Sequence, residues 1–134
     1  MLTSHLIAYA AATLVLFILD AIWLGFISRD FYQTHLGSML ADPFKIHVAA
    51  IFYLTYTIGV VVFAVNPSLA ADKWQVALCY GALFGFLAYG TYDFTNLATL
   101  KNWPAIVTIV DVAWGTILTA ITSVAAYFAV RQWG

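Results

Sequence analysis

The sequence predicts an all-α, polytopic membrane protein: four transmembrane helices in an up-down bundle, with a short interfacial amphipathic helix after the first. Three observations predict it. The 134-residue chain is 64% hydrophobic and only 8% charged, with a mean hydropathy of +0.93. A domain of this size has too little interior to hide so much apolar surface from water. Four stretches also reach the roughly 20 mainly apolar residues that a spanning helix needs. Finally, every basic residue falls at the edge of such a stretch: Arg29, Lys45, Lys73, Lys101 and Arg131. One membrane domain, residues 1–134, is expected. The net charge of −1 gives no footprint for nucleic acid, so the partners expected are membrane lipids. The single cysteine, Cys79, can close no intramolecular disulfide and reads as a small core residue.

The first helix is expected from about Ser4 to Ile27. Residues Met1 to His5 lack the Lys or Arg of a signal-peptide n-region, and the apolar run is too long for an h-region, so it reads as a retained span. From about 29 to 40, Phe31, Tyr32, His35, Leu36, Met39 and Leu40 recur at helical spacing, with Asp30, Gln33, Thr34 and Ser38 between them. That is the pattern of a helix lying in the interface, interrupted by Gly37. The second span is expected from about Phe44 to Val65, opened by Asp42 as N-cap and Pro43 in the first turn, and closed by Asn66-Pro67-Ser68. The third runs from about Trp74 to Leu100, with Asp72 and Gln75 as a capping pair. Asn102-Trp103-Pro104 separates it from the fourth, about Pro104 to Val130. Trp74, Trp103 and Trp133 suit an interfacial aromatic belt. The loops after the first and third spans hold Arg29, Lys45 and Lys101, which places them in the cytoplasm by the positive-inside rule. Ala77, Gly81 and Gly85 form a small-residue stripe on the third span. Such a stripe serves close packing within one chain, or a homodimer through Gly81 and Gly85.

Three acids stand inside the spans: Asp20, Asp93 and Asp111. A carboxylate at a helix centre costs roughly 2.5–3.5 kcal/mol by the gentler scales. In an up-down bundle all three fall on the same membrane side, each about seven residues, or about 10 Å, from its helix boundary. Residues three or four apart share a helix face. Trp23 therefore accompanies Asp20, Trp114 and Thr108 accompany Asp111, and Tyr89 and Asn96 accompany Asp93, with Tyr92 adjoining it. No Lys or Arg lies within the spans. Three outcomes remain open: protonation, a bound cation held by Asp20, Asp93, Asp111 and His47, or pairing with Lys101 and Arg29 reaching inward. The same acids also serve as interhelical glue when neutral.

The motifs Leu19-Asp20-Ala-Ile-Trp23-Leu-Gly25, Phe52-Tyr53-Leu-Thr-Tyr56, Gly81-Ala-Leu-Phe-Gly85, Tyr89-Gly-Thr-Tyr92-Asp93-Phe-Thr-Asn96 and Asp111-Val-Ala-Trp114-Gly115 resemble a family of small bacterial membrane proteins catalogued as domain of unknown function 2177. The resemblance covers essentially the whole chain. It implies four helices in a bacterial inner membrane and carries no activity, cofactor or catalytic residue with it.

Three classes of function fit the acids. One is binding or translocation of protons, a cation or a small cationic substrate. Another is an intramembrane enzyme acting on a lipid or apolar substrate, with the acids as acid/base groups or metal ligands. The third is a structural or accessory subunit. The sequence carries no phosphate loop, zinc-spaced Cys/His set, HExxH or GxSxG.

Overall fold

Helices that are apolar on every side have no single stripe to bury. Their small and polar residues therefore decide how they meet. The computed structural model describes residues 2–41 and 43–134 and is helical with no strand among them. α1 is Leu2–Ile27. α2 is Arg29–Leu36, followed by one 3-10 turn over Gly37–Met39. α3 is Ile46–Ala71, α4 is Trp74–Thr99 and α5 is Ala105–Trp133. Helices α1, α3 and α5 are long and apolar enough to cross a membrane. With 26 residues α4 has the length as well, but Gln75, Tyr80, Tyr89, Tyr92, Asp93 and Asn96 make it less apolar than the other three.

The most extensive pairing is α4 with α5, and α1 packs next on α5. Ala77, Gly81 and Gly85 are buried on α4. A β-carbon on Gly81 would stand 2.9 Å from the Thr119 carbonyl oxygen, and one on Gly85 would overlap the Gly115 carbonyl. The small-residue stripe thus lets two backbones touch within one chain. A homodimer through Gly81 and Gly85 has that face already filled by α5. Beside this pair, Ala8, Ala12 and Leu16 of α1 pack into a core with Val60, Val65, Leu118, Ala126 and Val130. Gly134 lies beside Ser4, and Trp114 beside Asp20, so α1 and α5 run antiparallel. The second half of α3 joins this core. Its first half splays away, leaving Ile46, Val48, Ile51 and Phe52 exposed.

Three boundaries differ from the sequence expectation. Asp42 lies outside the described residues. Pro43 precedes the helix rather than sitting in its first turn, since α3 begins at Ile46 with Lys45 at its N-cap. The Asn66-Pro67-Ser68 stop is overridden, for α3 continues to Ala71. The reason is a π turn over Val61–Val65, in which the Asn66 N–H bonds to the Val61 carbonyl five residues back. Pro67 then falls in the first turn of the resumed α geometry, where a missing N–H is best tolerated. Lastly, Asp72 does not cap α4. It ends α3 in the left-handed conformation, φ 55°. Its carboxylate pairs with Arg131 at 2.7 Å and accepts a hydrogen bond from Tyr127 at 3.3 Å. The N-cap of α4 is Lys73, with no side-chain cap bond.

A second π turn, Trp23–Ile27, ends α1. Ser28 closes it by donating both its N–H and its hydroxyl to the Trp23 carbonyl, each at 2.8 Å. The widened turn redirects the chain into α2, which ends where the backbone leaves the helix at Gly37.

Candidate functional site: an intramembrane acid network

Buried polar groups in hydrocarbon must find one another, and here they form a chain of contacts across all five helices. Asp20, 5% exposed, accepts hydrogen bonds from two neighbours: the Tyr53 hydroxyl of α3, and the Trp114 indole N–H of α5 at 3.0 Å. Trp114 stacks on Trp23 with ring centroids 4.5 Å apart and planes 9° from parallel. Trp23 in turn donates its indole N–H to the Tyr32 hydroxyl at 3.3 Å, and Tyr32 donates to Asp111 at 2.8 Å. The Asp111 and Asp93 carboxyls lie within hydrogen-bonding reach of each other. Asp93 is 0% exposed, and neither of its oxygens meets a donor among the described residues.

The Asp-x-x-Trp pattern of α1 and α5 explains itself in this geometry. Because the two helices are antiparallel, each tryptophan serves the acid of the other helix. Trp114 reaches Asp20 directly, and Trp23 reaches Asp111 through Tyr32. Both indoles satisfy their N–H while their rings fill the contact between helices, which is how buried tryptophan is normally accommodated.

Other sequence candidates stand at the edge. Thr108 donates to the Asp93 backbone carbonyl at 3.1 Å rather than to a carboxylate, and accepts from the Trp103 indole at 3.0 Å. Tyr92 is 57% exposed and meets Trp103 edge-on. Asn96 is half-buried one turn after Asp93. The ring of Tyr89 lies on Gly115 and edges Tyr56. His47 is exposed on the first turn of α3. Among the described residues, no three Asp, Glu, His or Cys side chains converge as a metal-holding set. Arg29 and Lys101 form no ion pair with the three acids there either.

Tyr32, Tyr53 and Trp103 are the members that sequence reading left out. Tyr32 was legible only as one residue of an amphipathic face, and Trp103 only as an interfacial aromatic. Burial and the neighbouring Asp111 charge push the Tyr32 phenol well above its ordinary range, against the smaller opposing effect of Trp23. It therefore stays protonated, a permanent donor to Asp111.

Next to the network, α2, the end of α1 and the splayed first half of α3 enclose a cleft of about 1160 Å3. Asp111, Tyr32, Tyr53, Tyr92 and Trp103 stand on its wall. Of the facing pair of acids, Asp111 is thus the one on open space, and Asp93 is fully buried.

Fold and site together define an α-helical membrane protein whose apolar helices enclose a connected set of acids and aromatic donors. The chain belongs to the family described as predicted membrane protein (DUF2177), whose model matches residues 5–128. Neither the curated proteins nor the solved structures hold a match to it.

Proposed function

We propose that this is a bacterial inner-membrane protein of four spans that takes up and relays protons through Asp111 and Asp93. The observation that carries the reading is the facing carboxyl pair with no donor on Asp93. Two carboxyls in contact, one of them sealed from water, repel each other as anions, and a proton or a cation held between them relieves that repulsion. Two carboxyls and a phenol make a thin shell for a hard metal ion, which takes six or more oxygens. A shared proton needs no further ligand. Asp111 on the cleft wall exchanges with water, and Asp93 receives the proton from it. Tyr32 fixes the Asp111 carboxyl in place and Trp23 fixes Tyr32. In the third span, α4, Asp93 and Tyr92 are polar positions given to this site. The loops carrying Arg29, Lys45 and Lys101 lie in the cytoplasm on this reading, so the cleft opens there.

The test is proton uptake in proteoliposomes loaded with a pH-sensitive dye, with the protonated-carboxyl infrared band recorded on the same samples. The expected result is a band at neutral pH that vanishes in both Asp93→Asn and Asp111→Asn, together with dye response that falls in both. A wild-type protein with no such band, and flux equal in all three, sinks the proposal.

A further inference from the structure

The cleft has chemistry beyond the acid pair. Its volume of about 1160 Å3 exceeds the roughly 300–1,000 Å3 of small-ligand sites. Most of its wall is apolar, including Leu24, Leu36, Phe44, Val48 and Phe52. Two cations also line it: Arg29 at the start of α2 and Lys45 at the N-cap of α3. The one carboxylate on its wall among the described residues, Asp111, is already bound by the Tyr32 hydroxyl. Lys45 precedes α3, whereas Phe52 lies seven residues further, about 10 Å down the helix axis. Over the top lies α2, amphipathic in sequence and with no buried residue of its own.

We propose that this cleft binds an anionic glycerophospholipid taken from the surrounding leaflet. Its phosphate and acidic head group sit between Arg29 and Lys45, and an acyl chain runs along Val48 and Phe52. Charge complementarity chooses this occupant. A zwitterionic lipid offers the same tails but cancels the attraction of two cations at a membrane surface, each worth about fivefold in binding. The inference stands on the cleft and its cations and does not depend on the proton reading.

Native mass spectrometry of the purified full-length chain, offered equal amounts of phosphatidylglycerol and phosphatidylcholine, tests it. Wild type is expected to retain phosphatidylglycerol preferentially. Arg29→Gln with Lys45→Gln is expected to erase a preference of up to about 30-fold, while Lys73→Gln, at the other end of the molecule, keeps it. Ala49→Phe, which fills the cleft, is expected to lower retention of both lipids with helicity unchanged by circular dichroism. Equal retention of the two lipids by wild type overturns the proposal. So does a preference that survives the double substitution or disappears equally in Lys73→Gln. Competition by glycerol phosphate, which has no tails, overturns the lipid assignment in favour of a soluble phosphate ligand.

Discussion

Replacing Gly115 with alanine tests the contact that sets the spacing of the two facing acids. Gly115 lies four residues after Asp111 and Tyr89 four before Asp93, so each shares a helix face with its acid. The Tyr89 ring rests on Gly115, and a β-carbon there would overlap the ring. Two effects compete. Alanine gains about 1 kcal/mol of helix propensity over glycine. Overpacking a tight contact costs about 1–3 kcal/mol. The upper end applies, because Gly85 already touches the Gly115 carbonyl and Tyr56 stands at the edge of the ring. The net expectation is a destabilisation of about 2 kcal/mol. In a Tyr89→Ala background the overlap is gone and only the propensity remains. There, Gly115→Ala should be neutral or stabilising by up to about 1 kcal/mol. The sign of one substitution therefore reverses with its neighbour. Reversible unfolding in mixed micelles, followed by circular dichroism for all four members of the cycle, measures this. Equal effects in both backgrounds, within about 0.5 kcal/mol, would refute the reasoning. The separation of α4 and α5 should also weaken the shared-proton band of Asp93 and Asp111.

Three further outcomes follow from the same geometry. Trp114→Phe keeps an aromatic ring on Trp23 but removes the donor to Asp20, and should cost about 1.5–3 kcal/mol in the same unfolding assay; a loss under about 0.5 kcal/mol would show that Tyr53 alone suffices. Asp93→Asn gives the Asp111 carboxyl a donor amide and should stabilise the protein by about 1 kcal/mol while abolishing proton uptake, the trade expected of a site strained for use. Arg131→Gln breaks an ion pair whose side chains are more than half exposed, so the change in midpoint should correspond to less than about 1 kcal/mol and shrink further in high salt.

How much of this was legible in the sequence depends on whether a feature is local. The long apolar runs, the amphipathic segment after the first span and the break at Asn102-Trp103-Pro104 are local patterns, and the helices follow them closely. Pro67 misled because a π turn is set by the backbone several residues upstream and has no clear side-chain signature. Asp72 misled because Arg131 and Tyr127 outcompete a capping role from nearly 60 residues away. Apolarity and length together pick out three spans, since α4 gives up apolar positions to tyrosines and the acid it brings to the site. At the site, the acids and both tryptophans stood out as polar or bulky residues on one stripe. Tyr32 and Tyr53 did not, because their partners Asp111 and Asp20 lie 79 and 33 residues away and only the folded bundle joins them.

The reciprocal tryptophans also bear on the order in which the chain is made. Asp20 belongs to α1, and its donor Trp114 follows 94 residues later on α5. At about 5–20 residues per second, that interval is roughly 5–20 s. Throughout it the first helix presents a carboxyl whose full set of partners does not yet exist. Tyr53 arrives first and supplies a partial settlement. The newborn helix therefore has reason to stay beside the insertion machinery, shielded from lipid, until its antiparallel mate emerges.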